Sequence, residues 1–127
     1  MAEKSVLLVE DEDNIAMALG YLIRKLGYEL RRVADGNDAL AAIEERAPDL
    51  VVLDVMLPGR SGFEVCQIVR RDPALASMKI LMITARGGAV EKRKGFAMGA
   101  DGFLTKPFSN ADLSDQIVLL MGDKADG

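Results

Sequence analysis

Short, almost wholly apolar runs alternate along the chain with segments in which apolar residues recur every three or four positions. Residues 5–10, 50–55 and 79–84 form the strongest runs, and this pattern predicts strands covered on both faces of a sheet. Residues 28–33 and 101–105 form weaker runs that we also interpret as strands. Each run is followed by a segment with helical spacing, so the pattern predicts five strands alternating with five helices.

Residues typical of helix ends support these boundaries. Gly27 follows the first predicted helix and favours its termination. Ser61 with Glu64 has the spacing of a capping box at the start of the third helix, and the same spacing recurs from Ser109 at the start of the fifth. The fourth helix is predicted to be a poor one, because Gly95 lies inside it and costs about 1 kcal/mol relative to Ala.

The strict alternation of strand and helix predicts an α/β fold with a parallel sheet and helices on both faces. Right-handed crossovers among five strands favour a flavodoxin-like, doubly wound (βα)5 domain with strand order 2-1-3-4-5. A ligand site in such a sheet lies beyond the carboxyl ends of the strands, where strands 1 and 3 diverge. We expect this domain to span residues 1–121, with a polar tail at 122–127 and no output domain.

The predicted carboxyl edge of the sheet collects charged side chains. Glu10 and Asp11 follow the first strand, Asp54 and Thr84 end the third and fourth, and Lys106 follows the fifth. Clustered carboxylates repel one another, and desolvation raises that cost. A hard divalent cation and the lysine ammonium would offset the repulsion, and Mg²⁺ binds carboxylates together with phosphate oxygens. A carboxylate in such surroundings is suited to attack a phosphoryl group and form an acyl phosphate.

Composition excludes several classes of site. The chain has 127 residues with no histidine and a single cysteine, which excludes His-based acid–base catalysis and disfavours zinc or copper sites. A net charge of −4 and a pI near 4.8 argue against general binding to nucleic acid. We find no apolar run of transmembrane length and no secretory signal pattern. The expected location is therefore the cytoplasm.

Four segments, LLVEDE, DLVVLDVMLPGRSGFEV, ILMITA and GADGFLTKPF, occur in an order and spacing that resemble the receiver domain of two-component response regulators. The chain is most similar in plan to the single-domain, chemotaxis-regulator type. This resemblance implies that Asp54 is the phospho-acceptor and that Asp11 is a direct Mg²⁺ ligand. It also implies that Glu10 acts mainly through metal-bound water and that the backbone carbonyl of Met56 is a further metal ligand.

The resemblance also implies a switching mechanism. Thr84 would be the hydroxyl that contacts the phosphoryl group, Lys106 the lysine that contacts phosphate, and Phe103 the switch aromatic. The bond between Lys106 and Pro107 is implied to be cis. On phosphorylation Thr84 would move towards the phosphoryl group and Phe103 would turn inward. The surface formed by the fourth helix, fifth strand and fifth helix would then change for a partner.

The implied donor is a phosphohistidine on a sensor histidine kinase or a histidine phosphotransfer protein. This chain has no histidine and would act only as acceptor. The output would be a downstream protein target, with no nucleic acid and no membrane as partner. Gly102 and Gln116 stand where receivers that dimerise through this surface usually carry an acid and an arginine. We therefore expect a monomer or a weak dimer.

The last helix carries a predicted core stripe of Leu113, Ile117 and Leu120. Val118 and Leu119 fall outside that stripe in the helical repeat. We hypothesise that these two residues form an apolar patch for a partner or a second subunit.

Other functions fit the residues less well. A Mg²⁺-dependent phosphatase typically needs a second Asp two residues after the nucleophile, and Met56 occupies that place. A receiver that no longer takes phosphate normally loses an acid or the lysine, and all are present here. A flavin-phosphate site would be too acidic without a metal. Asp11 or Asp13 as a plain helix N-cap remains open. We predict a phosphorylation-controlled binding module and not an enzyme that acts on outside substrates.

Overall fold

The computed structural model describes residues 4–85 and 87–122. Five parallel strands form one sheet in the order β2-β1-β3-β4-β5. The strands are β1 (Ser5–Val9), β2 (Glu29–Val33), β3 (Leu50–Asp54), β4 (Lys79–Thr84) and β5 (Gly102–Thr105). The predicted fold class and strand order are confirmed.

Five α-helices connect and follow the strands. They are α1 (Asp13–Lys25), α2 (Gly36–Glu45), α3 (Gly62–Arg70), α4 (Ala89–Ala97) and α5 (Asn110–Met121), and a short 3-10 turn spans Pro73–Leu75. Gly27 follows α1 with φ of +96°, a backbone conformation that favours glycine. Both predicted capping boxes are present, at Ser61 for α3 and at Ser109 for α5. None of the helices within the described ranges is long and apolar enough to cross a membrane.

The sheet separates two hydrophobic cores. Alternate residues of each central strand point to opposite faces, so that Leu7 of β1 packs with α2 and α3 while Leu8 packs with α1 and α5. All five residues of β3 are buried. This burial on both faces explains why the central strands are continuous apolar runs in the sequence.

The core stripe of α5 contains one residue more than the prediction. Leu113 and Ile117 are fully buried, Leu120 is half-buried and packs against the same core, and Met121 is also buried. Leu119 is 71% exposed, whereas Val118 is half-buried. The predicted apolar patch is therefore reduced to one strongly exposed side chain. Of the predicted polar tail, the described residues include only Gly122, which ends α5; 123–127 lie outside the description.

Arg70 ties several segments together at the amino-terminal edge of the sheet. Its Nε donates to the carbonyl of Gly99 at 2.9 Å, and its Nη1 donates to the carbonyl of Met78 at 2.8 Å. Its Nη2 donates to a carboxylate oxygen of Asp101 at 2.7 Å, and that same oxygen accepts the amide of Ile80 at 2.9 Å. This edge of the sheet lies opposite the predicted site.

Candidate functional site

A cleft of about 300 Å³ lies at the carboxyl ends of the strands, at the edge where the sequence predicts a site. Acidic side chains and one lysine dominate its wall. The lining residues are Glu10, Asp11, Glu12, Ile15, Asp54, Met56, Ala85 and Lys106.

Asp54 is the last residue of β3 and is only 4% exposed. One carboxylate oxygen, Oδ1, accepts the backbone amide of Met56 at 2.9 Å. The other, Oδ2, lies 2.9 Å from Nζ of Lys106. A buried carboxylate is costly unless its oxygens are hydrogen-bonded, and here both are. The strand thus delivers a single, well-held carboxylate to the floor of the cleft.

Lys106 bridges the two buried acids. Its Nζ lies 3.0 Å from Oε1 of Glu10 in addition to its contact with Asp54. Burial alone would lower the pKa of Lys106, but hydrogen bonds to Asp54 and Glu10 and their negative charges outweigh burial, so the pKa is raised. Its backbone amide donates to the carbonyl of Thr84 at 2.7 Å, and the bond to Pro107 is cis, as predicted.

Glu10 is almost completely buried, with 1% of its surface exposed. Burial raises its pKa, hydrogen bonds from the amide of Glu12 and from Lys106 oppose the rise, and the neighbouring Asp54 adds to it. The net result is a raised pKa. Among the described residues, Glu10, Asp11 and Asp54 each place a carboxylate oxygen within 4.8 Å of the others. A donor set made only of oxygen atoms at this spacing fits Mg²⁺ and not a metal that prefers nitrogen or sulphur ligands.

The acids after β1 do not serve simply as helix caps. The N-cap position of α1 is Glu12, which makes no side-chain capping hydrogen bond. Its backbone amide instead donates to Oε2 of Glu10 at 3.1 Å. Asp11 is exposed and lines the cleft, while Asp13 lies in the first turn of α1. The geometry therefore favours the site interpretation of Asp11 over the capping interpretation.

Neither of the two predicted switch residues is part of the cleft lining. Thr84 ends β4 and is 1% exposed, and the next residue, Ala85, lines the cleft. Phe103 on β5 is 8% exposed. Its ring packs under α4 at Gly95, where a Cβ atom would lie only 2.9 Å from the ring and 3.1 Å from the sulphur of Met82. The ring is thus already directed inward in this structure, so the predicted inward turn on phosphorylation would leave its position unchanged.

Arg32 contacts the turn that follows β1 and was missed from the sequence. Its Nε and Nη2 donate to the backbone carbonyl of Glu10 at 3.0 and 2.7 Å. Its Nη1 donates to Oδ1 of Asp13 at 3.0 Å. The available signal was its place next to the last residue of β2, the strand beside β1. The weak apolar pattern of β2 did not indicate that a residue near its carboxyl end contacts the site.

The chain matches the response regulator receiver domain over residues 6–118. It belongs to that family. The sequence is 43% identical over 122 residues to the sensory transduction protein RegX3 of Mycolicibacterium smegmatis. The aligned part covers 96% of this chain and 52% of RegX3. The chain therefore spans about half the length of this relative.

Solved receivers share the fold closely. Chemotaxis protein CheY4 of Vibrio cholerae aligns with a TM-score of 0.87 and 33% identity, covering 94% of this chain and 99% of CheY4. The BeF3-activated DrrB receiver domain aligns with a TM-score of 0.84 and 30% identity, covering 96% of this chain and 99% of DrrB. The resemblance inferred from the four segments is confirmed.

The protein thus contains a receiver domain of the kind that response regulators use in two-component signalling. Such domains are phospho-accepting switches that bind Mg²⁺ at an acidic pocket, and this family implies a histidine kinase as partner. The cluster of Glu10, Asp11 and Asp54 is a group of acids that could hold such an ion.

Proposed function

We propose that this receiver accepts a phosphoryl group on Asp54 from a phosphohistidine of a sensor kinase or a histidine phosphotransfer protein. One observation carries the proposal: Asp54 is a buried carboxylate whose Oδ2 lies 2.9 Å from Nζ of Lys106 at the floor of an acidic cleft. Its similarity to the BeF3-activated DrrB receiver supports the same chemistry.

In the proposed step, a carboxylate oxygen of Asp54 forms a bond to phosphorus while the bond from phosphorus to the donor's imidazole nitrogen breaks. The nitrogen keeps the bonding electron pair, and the product is an acyl phosphate. The Lys106 ammonium is held where it can neutralise the phosphoryl oxygens. The Met56 amide is a second nearby donor.

Glu10, Asp11 and Asp54, with the backbone carbonyl of Met56, are the residues that would hold Mg²⁺. When bound, the ion neutralises charge on the phosphoryl oxygens. Two of these carboxylates, Glu10 and Asp54, are buried around a single lysine. Such an excess of buried negative charge favours a site that binds a cation.

The phosphoryl group would change the surface formed by α4, β5 and α5. Thr84 would contact the new oxygens, and its carbonyl already accepts the amide of Lys106 at 2.7 Å. Phe103 is the switch aromatic of this proposal, and its ring lies directly beneath α4 at Gly95. Changes at the cleft would therefore reach α4 through two neighbouring strands, and a downstream protein target would bind the altered surface.

We further propose that the receiver unit spans residues 1–121 and acts in the cytoplasm as a monomer or weak dimer. It binds no nucleic acid directly, a proposal that its net charge of −4 supports. It does not act on outside substrates, because the place of a phosphatase's general acid is taken by Met56.

The test is the intact mass after incubation with acetyl phosphate, with and without Mg²⁺. Wild type should gain the mass of one phosphoryl group only when Mg²⁺ is present, and Asp54→Asn should gain none. Asp115→Asn, a change to an exposed acid on α5, is the matched control and should behave as wild type. Equal labelling of Asp54→Asn would remove Asp54 as the acceptor. No labelling and no Mg²⁺ binding in wild type would make the cleft a fixed charged edge.

A further inference from the structure

Arg32 reaches from the edge strand β2 to the turn between β1 and α1. Its Cα pairs with Leu8 in the parallel register, so its side chain extends past the end of β1. Two of its nitrogens donate to the Glu10 carbonyl, at 3.0 and 2.7 Å, and a third donates to Asp13 at 3.0 Å. One guanidinium thus connects the first residue of this three-residue turn, Glu10, with the first residue of α1, Asp13.

Asp11 lies inside the turn that Arg32 spans. Its side chain is exposed, so packing in a core does not fix its position. The backbone on either side of it is fixed instead. The amide of Glu10 donates to the carbonyl of Val33 at 3.1 Å, and the amide of Glu12 donates to Oε2 of Glu10 at 3.1 Å. The Arg32 contacts complete this set of hydrogen bonds.

We propose that Arg32 is a positioning residue of the acidic cleft. It holds the turn so that the carboxylates of Glu10 and Asp11 face a bound cation. The inference rests on the proposed function, because it assumes that these carboxylates bind Mg²⁺. Arginine suits this role because its rigid, planar fork directs several N–H groups at fixed angles. Lysine has the same charge but only a point-like ammonium on a flexible stem.

Charge and geometry predict opposite results when Arg32 is removed. A positive charge near the cleft repels a cation, so loss of the charge alone would strengthen Mg²⁺ binding. Loss of the hydrogen bonds frees the turn and would weaken Mg²⁺ binding. The sign of the change therefore distinguishes a positioning role from a plain surface charge.

The experiment is a calorimetric titration of Mg²⁺ into wild type, Arg32→Met, Arg32→Lys and Arg31→Met, with no phosphoryl donor present. We expect the Kd for Mg²⁺ to rise about tenfold in Arg32→Met, the effect typical of removing a residue that orients metal ligands. Arg32→Lys should also bind more weakly, although its charge is kept. Arg31→Met should bind as wild type, because Arg31 donates to the carbonyls of Ala42 and Arg46 at the end of α2.

A second measurement needs no metal. Amide hydrogen exchange at Glu12 should accelerate in Arg32→Met and stay unchanged in Arg31→Met. Unchanged exchange, or Mg²⁺ binding that tightens in Arg32→Met and does not change in Arg32→Lys, would overturn the inference. If wild type binds no Mg²⁺, both this inference and the proposed metal site are wrong. If Arg32→Met binds more weakly but acetyl phosphate never labels Asp54, only the proposed phosphorylation fails.

Discussion

Helices α3 and α4 have the same length, nine residues, and follow neighbouring strands, yet they differ in capping and in how many side chains they bury. Helix α3 begins with a capping box, whereas the N-cap residue of α4, Gly88, provides no side-chain hydrogen bond. Helix α4 buries only Gly95, and its Val90 and Phe96 are exposed. The residues that α3 buries are Gly62, Val65, Cys66 and Val69.

The difference matches the two roles that the proposed function gives to the ends of β3 and β4. Helix α3 follows Asp54, where the phosphoryl group would be attached, and a well-packed helix helps to keep that end of β3 in place. Helix α4 follows Thr84, where the response would begin. Local stability rises with buried apolar surface and capping, so displacing α4 costs less free energy than displacing α3.

The same substitution on both helices tests how strongly each one is stabilised by its packing. Val65→Ala on α3 removes two methyl groups from a side chain that is 1% exposed, and we expect a loss of about 2 kcal/mol in the free energy of unfolding. Val90→Ala on α4 changes a side chain that is 65% exposed, and we expect a change within about 0.5 kcal/mol. Urea denaturation measures both. Equal losses would show that α4 is as firmly packed as α3.

The next effect concerns Gly95 and the ring of Phe103. A methyl group at Gly95 would overlap the ring, so Gly95→Ala should destabilise although alanine is the better helix former. In a Phe103→Leu background the overlap with the ring is removed and the close contact with the sulphur of Met82 remains, so the same change should destabilise less. We expect a coupling of about 1 kcal/mol between the two sites in a double-mutant cycle. If Gly95→Ala has the same effect on stability in both backgrounds, the packing of the Phe103 ring does not depend on the absence of a side chain at Gly95.

The buried thiol of Cys66 on α3 should make the free energy of unfolding depend on pH. Burial raises the pKa of the Cys66 thiol from 9.0 to about 11. The folded protein therefore holds this proton more tightly than the unfolded chain, and stability falls as the pH rises from about 9 towards 11. Compared with Cys66→Ala, wild type should lose about 1 kcal/mol more between pH 8 and pH 10. Denaturation curves at both pH values test this, and parallel losses would show that the thiol is not sequestered.

The smallest expected effect comes from giving α4 the cap that it lacks. Gly88→Ser would place a serine three residues before Glu91, the spacing of a capping box. The backbone at Gly88 is extended with a negative φ, so serine can adopt it. We expect the free energy of unfolding to rise by about 0.3 kcal/mol. Slower amide exchange in the first turn of α4 measures it, and a loss of stability would contradict it.

Much of the fold was predictable because the buried strands are continuous apolar runs and the caps of α3 and α5 have a fixed spacing. The edge cluster of Glu10, Asp54 and Lys106 was predictable for a related reason, since parallel strands bring their carboxyl ends together. The site roles carried over by resemblance stay predictions until the labelling experiment is done.

Other features depend on distances that no sequence pattern carries. Met121 is buried more deeply than its neighbour Leu120, because the exact rotation of a helix on the sheet decides between neighbours in its apolar stripe. The contact of Arg32 with the Glu10 carbonyl joins residues 22 positions apart. The inward ring of Phe103 depends on the missing side chain at Gly95, which the sequence shows only as a weak point in a helix.

The hydrogen bonds of Arg70 give α4 one fixed end and one less restrained end. Arg70 holds the carbonyl of Gly99, two residues after the helix, whereas the opposite end at Gly88 has no side-chain cap. The helix can therefore tilt like a lever. Its fulcrum is the end near Gly99, at the edge of the sheet opposite the cleft, and its free arm is the end near Gly88. At 1.5 Å per residue the arm is about 13 Å long, so a tilt of about 10° would carry its first turn by about 2 Å.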